Sequence, residues 1–399
     1  MASSVSRAGR FVKQPAGYTA FVPAPLPPDP PVRMDGAMVG LLSRADQAVG
    51  RLDGVTRTLP NPDLFVAMYV RREAVESSQI EGTQSTLEDV LAFELDPRRR
   101  DVPQDVEEVV NYVRAMNYGL ERLTTLPLSL RLIREIHAEL LSGARGADKH
   151  PGEFRRSQNW IGPGGASLSQ ATFVPPPVPE MTEALHDLEN FLHEEGDLPV
   201  LVHCGLVHAQ FETIHPFLDG NGRVGRLLIA FQLVHAGVLH RPLLYISHYL
   251  KRHRAEYYDR LGAVRQDGGR EGWLRFFLRG AAETAEEATA TAEAIVRLRE
   301  EHRALLQEEG LGLNGLRLLD LLFRRPLVNV GLIRDELGVA FNTANKLAEQ
   351  LEALGLVEET TGGQRNRVFR YTPYWRLLEE PGSAVEEVAP AQTTESREQ

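Results

Sequence analysis

Two runs of apolar residues at helical spacing flank one short turn, and this arrangement constrains the fold more than any other feature of the chain. The apolar residues before the turn recur every three or four positions: Leu201, Cys204, Val207, Phe211 and Ile214. Those after it follow the same spacing: Val224, Leu227, Leu228, Phe231, Val234 and Val238. Such spacing is typical of helices that bury one face. The sequence therefore predicts two helices joined by a turn, in a mainly α-helical protein.

The turn between these helices has the residues needed to bring its backbone close to an anion. Pro216 disfavours helical geometry at His215, so we expect the first helix to end there. Gly220 and Gly222 allow the backbone to approach a ligand closely or to adopt a positive φ. The second helix is predicted to begin near Arg223, where free N–H groups and the helix dipole would form an anion-binding site.

The side chains in and after the turn favour chemistry on phosphates. Arg223 and Arg226 are three residues apart on one helix face, where they can grip separate phosphates. Asp219 offers an oxygen ligand to a divalent cation that also touches the phosphates. His215, titrating near neutrality, can accept a proton from an attacking hydroxyl. Together these residues indicate a phosphoryl- or nucleotidyl-transfer site.

The segment HPFLDGNGRVGR, residues 215–226, resembles the signature of the Fic family, H-x-F-x-D/E-G-N-G-R-x-x-R, at every specified position. The resemblance covers most of residues 34–280. HPGEFR (residues 150–155), FVPPP (residues 173–177, called the flap below) and YISHYLKRHRAEYYDRL (residues 245–261) resemble the family's pre-flap, flap and late-helix segments. The fold this implies is a Fic-type helical bundle with a small β-hairpin flap.

The resemblance also implies an activity, the transfer of AMP from ATP to a Ser, Thr or Tyr hydroxyl of a protein, with release of pyrophosphate. By the matching positions, His215 would be the base and Asp219 would hold Mg²⁺ or Mn²⁺, between which a single carboxylate does not decide. The residues that would bind the phosphates of ATP are Gly220, Asn221, Gly222, Arg223 and Arg226, the last at the γ-phosphate. The intact GNGR run favours transfer of AMP over transfer of phosphate.

The same resemblance implies contacts to the target protein and to the adenine. Val174 in the flap would align a target chain by strand addition, a mode that reads the backbone more than the side chains. Tyr258, with Arg265 as a further candidate, matches positions near the adenine.

A carboxylate near the end of an earlier predicted helix suggests regulation. That helix is expected to begin at Pro62 after an Asn61 cap and to run to Gly82, which places Glu81 in a last turn where the helix dipole disfavours a carboxylate. The segment SSQIEG, from Ser77 to Gly82, resembles the Fic inhibitory motif S/T-x-x-x-E-G/N. The resemblance implies that Glu81 pairs with Arg226 and blocks productive binding of the γ-phosphate. Removal of AMP from the target, which some family members catalyse with this Glu, stays open.

Residues 311–376 have the pattern of a small separate domain. Three helical stretches precede two β-rich pieces around the turn TGGQRN, an order typical of a winged helix-turn-helix. The third helix would expose four polar residues where recognition helices touch bases: Asn342, Thr343, Asn345 and Lys346. Three arginines of the predicted wing are further phosphate-binding candidates: Arg365, Arg367 and Arg370. The domain has nine basic and seven acidic residues against a net charge of −11 for the chain, so both DNA and protein partners remain open.

The remaining features indicate the cellular compartment and the regions of the chain. One cysteine, Cys204, excludes an internal disulfide and suits a reducing compartment, and no apolar run is long enough for a membrane span, so we expect a cytoplasmic protein that avoids membranes. The histidines outside the motif, His193, His203, His208 and His240, form no H-E-x-x-H metal pair and are expected to be structural.

The expected regions are a proline-rich segment (1–32), a helical region with the inhibitory helix (33–125), the catalytic core (126–280), a linker helix (281–310), the winged helix (311–376) and a disordered acidic tail (377–399).

Two functions therefore compete at the level of sequence. The first is a self-inhibited protein adenylyltransferase. The alternative is a DNA-binding transcriptional regulator whose Fic-like body only senses a nucleotide. A homodimer would suit a winged helix that reads paired half-sites.

Overall fold

The computed structural model of the chain describes residues 7–58, 62–98, 102–143, 146, 148–162, 167–194, 196, 198–362 and 367–379. The chain divides into two compact units, one made of residues 1–53 and 69–285 and the other of residues 54–68 and 286–399. No helix of the described residues is long and apolar enough to cross a membrane.

The first unit is built from helices that lie wholly or partly within it. Their bounds are α1 Gly36–Thr58, α2 Pro62–Ile80, α3 Leu87–Leu95, α4 Val106–Arg122, α5 Leu130–Leu140, α6 Val178–Leu192, α7 Val200–Ile214, α8 Asn221–His235, α9 Ser247–Arg252, α10 Arg254–Asp267 and α11 Arg270–Glu308. The two helices predicted from the apolar spacing are α7 and α8, which pack against each other. Cys204 of α7 is buried, and burial raises the pKa of its thiol, as expected for a structural cysteine.

The ends of α2 and α11 agree only in part with the sequence prediction. The helix α2 begins at Pro62 as expected but ends at Ile80, so Glu81 follows the helix in a turn closed by a hydrogen bond from its N–H to the Ser78 carbonyl. The proposed Asn61 cap lies outside the described residues. The expected boundary between residues 280 and 281 lies inside one continuous helix, α11, in which Gly280 packs closely against the ring of Tyr249.

The proline-rich N-terminal segment forms a hairpin rather than a purely extended chain. Strand β1 (Gly9–Lys13) pairs antiparallel with β2 (Thr19–Pro23), with Phe11 opposite Phe21. The intervening turn has Gly17 at φ 90°, a conformation that suits glycine. The strand β2 packs against α6 and α7 and is largely buried, so the hairpin is part of the core of this unit.

The flap is less regular than the predicted extended piece. Phe173 pairs with Ile161 through one isolated antiparallel bridge, and residues 163–166 between them lie outside the described residues. Residues 168–170 form a single 3-10 turn that Ser167 and Gln170 close with a capping box. On its other side the flap is joined to the N-terminal hairpin, because the Phe21 N–H donates to the Val174 carbonyl at 2.9 Å.

The second unit contains the winged helix. Its elements are α12 Gly312–Arg324, β3 Leu327–Asn329, α13 Val330–Leu337, α14 Phe341–Ala353, β4 Val357–Glu359, β5 Val368–Tyr371 and α15 Thr372–Glu379. The three strands form an antiparallel sheet in the order β3-β5-β4, so the predicted hairpin gains one short strand. The helix α15 runs past the expected boundary at residue 377, and most of the predicted acidic tail lies outside the described residues.

Candidate active site

The 215–220 turn begins with a histidine in an uncommon backbone conformation. His215 ends α7 in the left-handed region, with φ 51° and ψ 60°. Its carbonyl accepts hydrogen bonds from Arg155 Nε at 3.1 Å and Asn159 Nδ2 at 3.2 Å. Burial lowers the pKa of His215 to about 3, and the charges of Arg265 and Arg155 act in the same direction. The imidazole is therefore neutral at neutral pH, the form that can accept a proton.

Two buried polar side chains fix the shape of this turn. The side-chain amide of Asn221 makes two hydrogen bonds with the backbone of Phe217. Its Oδ1 accepts from the Phe217 N–H and its Nδ2 donates to the Phe217 carbonyl, each at 2.8 Å. The polar atoms of the Asn221 amide are thus engaged inside the protein, although the sequence predicts them at the phosphates. His137 of α5 accepts from the Gly152 N–H through Nδ1, so its Nε2 carries the proton and donates to the Asp219 carbonyl at 3.1 Å.

His137 is a site residue that sequence reasoning missed. Its ring stacks on Phe217 with centroids 3.7 Å apart, and burial lowers its pKa to about 4. It lies on the buried face of an amphipathic helix, where the sequence pattern alone indicates an ordinary core residue.

Asp219 and Arg223 form the polar side of the site. Arg223 Nη2 lies 3.5 Å from Asp219 Oδ1, while its Nη1 donates to Glu108 Oε2 at 3.1 Å. The Gly220 N–H also donates to Asp219 Oδ1, at 2.6 Å. The Asp219 side chain remains 38% exposed, whereas Arg223 and Glu108 are buried. Glu108 carries no motif signal, and the sequence did not indicate it.

Arg226 is held by the end of α2. Its Nε donates to Ser77 Oγ at 2.8 Å, and its Nη2 donates to the Ser77 carbonyl at 2.9 Å and to Glu81 Oε1 at 2.7 Å. The Arg226 side chain is 1% exposed and that of Glu81 is 36% exposed. Burial disfavours the charge of Arg226, but Glu81, Tyr257 and Glu212 together more than offset this and raise the pKa of the guanidinium. The structure thus contains the ion pair that the sequence predicts.

The carboxylate of Glu81 also lies against the first turn of α8. A Cβ placed on Gly222 would collide with Glu81 Oε1 and come within 3.0 Å of Arg226 Nη1. The N-terminal turn of a helix attracts anions through its free N–H groups and its dipole. Glu81 therefore lies beside the start of α8, where the sequence predicts that phosphates bind. Gly82 follows at φ 102°, which lets the chain turn away immediately after this carboxylate.

The helix that precedes Glu81, α2, is anchored by a buried acid. Glu73 Oε1 accepts from Ser247 Oγ at 2.5 Å and from the Tyr112 hydroxyl at 3.2 Å. Burial raises the pKa of Glu73 to about 8, despite the hydrogen bond from Ser247. The sequence did not single out this residue, because one acid on a helix is usually solvent-exposed.

The residues expected near the adenine and the target lie at the edge of the site. Tyr258 is 43% exposed, and the Arg254 guanidinium lies 5.3 Å from its ring centroid. Arg265 instead contacts the end of α7, where its Nη2 donates to the Glu212 carbonyl at 3.2 Å, and its guanidinium lies 4.0 Å above the ring of Phe173 in the flap. The carbonyl of Val174 is already paired with the N-terminal hairpin.

The candidate DNA-contacting residues divide into two groups. Asn342, Thr343 and Lys346 are exposed at the start of α14. Asn345 and Arg367 are both engaged with Glu349, at 2.8 and 3.2 Å, and with each other at 2.9 Å. Arg370 pairs with Glu358, and Arg365 lies outside the described residues.

Comparisons with known proteins identify the domains of the chain. Residues 39–121 match the model of the Fic/DOC family N-terminal region, residues 127–233 match the model of the Fic/DOC family, and residues 316–369 match an HTH DNA-binding domain. The chain therefore belongs to the Fic/DOC family through residues 39–233 and carries a C-terminal helix-turn-helix domain. Both predictions made from the sequence are confirmed.

The chain is similar to two insect proteins named protein adenylyltransferase Fic. It is 30% identical over 183 residues to the protein of Drosophila grimshawi, covering 45% of this chain and 33% of that one. It is 33% identical over 162 residues to the protein of Aedes aegypti, covering 40% and 28%. The matched stretch thus spans about a third of the length of these relatives. Among solved structures, a Fic family protein from Desulfovibrio desulfuricans has the same fold, with a TM-score of 0.55, 19% identity, and coverage of 86% of this chain and 98% of that one.

Proposed function

We propose that the protein transfers AMP from ATP to Ser, Thr or Tyr hydroxyl groups of proteins, itself included, and that Glu81 holds it in a low-activity state. One observation carries this proposal. A carboxylate, that of Glu81, occupies the anion site formed by the start of α8 and Arg226, next to a turn that presents a neutral histidine, His215. An anion site closed by an internal carboxylate is what a regulated phosphate-binding enzyme requires.

In this reaction the triphosphate would lie at the N-terminal end of α8. The backbone of Gly220 and Gly222 and the guanidinium of Arg223 would bind the α- and β-phosphates, and Arg226 would bind the γ-phosphate once Glu81 withdraws. Asn221 would contribute through the shape of the turn, because its amide is engaged with Phe217. Fixed cationic groups and backbone N–H groups are worth most where negative charge develops in the transition state.

His215 would act as the general base. It accepts the proton of the target hydroxyl as the hydroxyl oxygen bonds to the α-phosphorus, the bond from that phosphorus to the β-phosphate oxygen breaks, and pyrophosphate leaves with the electron pair. With a pKa of about 3, the base is available throughout the neutral range but is weak. The negative charge of bound ATP would favour its protonated form and raise its proton affinity when it is needed.

Asp219 fits the role of ligand to a divalent cation. Its carboxylate is partly exposed, and Oδ2 faces Gly146, where a Cβ would lie 2.9 Å away and crowd the oxygen. A single carboxylate together with substrate phosphates is a donor set that Mg²⁺ accepts, and Mn²⁺ is the alternative. The ion would neutralise charge on the phosphates. Among the described residues no three His, Cys, Asp or Glu side chains cluster as a metal site, which agrees with this simple arrangement.

The position of Glu81 is also compatible with the reverse reaction. A carboxylate close to the phosphate site can accept a proton from water as well as block a phosphate. We therefore include removal of AMP from the target in the proposal, with Glu81 as its base.

The test is incubation of the protein with α-labelled ATP and Mg²⁺, followed by mass spectrometry of the modified peptides. We expect the Glu81→Gly variant to label itself or other proteins with AMP, and the additional change His215→Ala to abolish the label. Absence of any transfer by Glu81→Gly, or transfer that survives His215→Ala, would overturn the proposal.

A second function has its own support, the match of residues 316–369 to a DNA-binding domain and the exposed polar residues at the start of α14. On that alternative the protein is a transcriptional regulator whose Fic region senses a nucleotide. Sequence-selective, salt-dependent binding to a DNA duplex, without AMP transfer by Glu81→Gly, would favour it.

A further inference from the structure

We propose that Arg155 and Arg265 are positioning residues that tie the end of α7 to the flap, so that the base His215 and the segment that aligns the target are held as one unit. This inference rests on the proposed function, because it assigns roles for the same reaction. Neither arginine belongs to the HPFLDGNGRVGR motif.

The end of α7 needs hydrogen-bond donors. The last carbonyls of a helix lack partners within the helix, and the helix dipole makes this end negative, so cationic donors are favoured there. Two of these carbonyls, of Glu212 and His215, accept from buried guanidinium groups. His215 also has a positive φ, a conformation that a non-glycine residue keeps only where the surroundings restrain it.

Arg155 connects the His215 carbonyl with the flap. Its Nε donates to the His215 carbonyl at 3.1 Å, and its Nη2 donates to the Pro176 carbonyl in the flap at 2.5 Å. Its own backbone N–H donates to the Pro216 carbonyl at 2.9 Å. One planar guanidinium therefore fixes the distance between the turn and the flap, which a single-point donor such as lysine cannot do.

The partners of Arg155 argue against a role in stability alone. Arg155 is 2% exposed, and its third hydrogen bond, to Ser157, also goes to a carbonyl, so no carboxylate among the described residues is hydrogen-bonded to this charge. Burial lowers its pKa to about 10. A buried charge without a counter-charge is costly, and an apolar residue of similar size is often at least as stabilising. A residue that is kept in spite of this cost in stability is expected to have a functional role, here the alignment of His215 with the flap.

Arg265 makes the equivalent connection from α10. Its Nη2 donates to the Glu212 carbonyl at 3.2 Å, its Nε lies 3.4 Å from Thr213 Oγ1, and its guanidinium lies 4.0 Å above the ring of Phe173. The two arginines thus contact two different residues of the flap and two different carbonyls of the α7 end. Displacement of the base by about 1 Å is enough to slow a reaction about a hundredfold.

The experiment uses the full chain with Glu81→Gly as the parent. Arg155→Lys and Arg265→Lys keep the positive charge but lose the forked geometry, and Arg156→Lys, at a neighbouring exposed position, is the matched control. The measurements are the rate of self-modification at saturating ATP and the dissociation constant of ATP. We expect the rate to fall at least about tenfold in the first two variants, with ATP affinity changed less than about twofold and no effect in the control.

The pH profile separates alignment from charge. The charged groups that act on His215 are Arg265, Arg155 and Asp219. Arg155→Met removes one cation, so the acidic limb of the rate profile should move to higher pH, whereas Arg155→Lys should leave the limb in place while the rate still falls. If Arg155 had only a structural role, the two variants would not differ in the position of the acidic limb.

Hydrogen exchange provides a readout that does not need activity. The amides of Phe173 and His215 should exchange faster in the lysine variants than in the parent and the Arg156→Lys control. If the parent transfers no AMP, the proposed function fails, and exchange still decides this inference. If the Arg155 variants do not fold, Arg265→Lys and Asn159→Ala, which removes the second donor to the His215 carbonyl, replace them. Unchanged rate and unchanged exchange, or a rate loss matched by weaker ATP binding, would overturn the inference.

Discussion

Glu81 Oε1 and Arg226 Nη2 lie 2.7 Å apart beside the backbone of Gly222, at the first turn of α8. The carboxylate thereby uses both attractive features of the anion site, the guanidinium and the start of the helix. A triphosphate that needs the same two features must displace it. The inhibition we propose is therefore competition between an internal anion and the substrate for one site.

The first prediction concerns that competition. Glu81→Gly removes both the charge and the bulk of the internal anion, and we expect AMP transfer to rise at least about tenfold, the equivalent of about 1.4 kcal/mol. Glu81→Gln keeps the bulk and loses the charge, so its gain should be smaller. Rates with α-labelled ATP measure both, and Glu107→Gln, at an exposed position of α4, is the control for the change in net charge. Equal rates in all four proteins would contradict the prediction.

A second prediction follows from the closeness of Glu81 to Gly222. A methyl group on Gly222 would collide with the carboxylate, so Gly222→Ala should destabilise the protein by roughly 1–3 kcal/mol. In the Glu81→Gly background most of that collision is absent, and the cost should shrink, leaving the tight approach to Arg226 Nη1. Chemical unfolding of the four proteins of this double-mutant cycle measures the coupling. Strictly additive effects would show that the carboxylate is not where the structure places it.

The sequence predicts the core of the site because its residues are contiguous. HPFLDGNGRVGR lies on one turn and the start of one helix, so the order of the residues along the chain already places His215, Asp219 and Arg226 near each other. The apolar spacing on both sides predicts α7 and α8 for the same reason, since helical periodicity is a local property. Glu81 was found through a second local motif.

What the sequence does not show is contributed by distant segments. His137, Glu108 and Arg155 reach the turn from α5, α4 and a loop, and the residues around them in the sequence do not reveal their contacts with the turn. The N-terminal hairpin was missed because β2 packs against α6 and α7, and periodicity within residues 1–32 does not reveal these contacts. The role of the Asn221 side chain is likewise visible only once the turn is folded.

A third prediction concerns pH and stability. The pKa of Glu73 is about 8 in the folded protein against 4.5 as the ordinary value, so the folded state binds the proton more tightly than the unfolded state. The resulting stabilisation is fully present below about pH 4.5 and is lost as pH rises through about 8. Glu73→Gln removes this group, so the free energy of unfolding should depend less on pH between these values, by on the order of a few kcal/mol.

Chemical unfolding at pH 5, 6, 7 and 8 tests the effect of Glu73. Glu107→Gln again serves as the control, because its side chain is exposed in the structure. An unchanged pH dependence in Glu73→Gln would mean that Glu73 is ionised in the folded protein and that another group accounts for any slope.

A fourth prediction concerns the N-terminal hairpin and the flap. Phe21 is 2% exposed, its ring centroid lies 6.1 Å from that of Phe173, and its N–H donates to the Val174 carbonyl. Phe21→Ala should cost roughly 3–5 kcal/mol of stability and loosen the flap. We expect faster hydrogen exchange at the Phe173 amide, with amides of α4 much less affected. Phe11→Ala, on the exposed strand of the same hairpin, is the matched control, and equal effects of both variants would refute the special role of Phe21.

The last prediction concerns the winged helix. Lys346 is exposed at the start of α14, so Lys346→Ala should weaken binding to any DNA duplex. The slope of the logarithm of the binding constant against the logarithm of the salt concentration should fall in magnitude by about one. We expect the opposite effect from Glu349, because it is hydrogen-bonded to Asn345 and Arg367 and its negative charge would repel phosphates. Glu349→Gln should therefore tighten duplex binding a few-fold, and Glu107→Gln, which changes the net charge equally outside this domain, should not. Binding titrations at several salt concentrations distinguish these outcomes. If the two variants leave duplex binding unchanged, α14 is not the DNA-binding surface, and a protein partner becomes the better assignment for this domain.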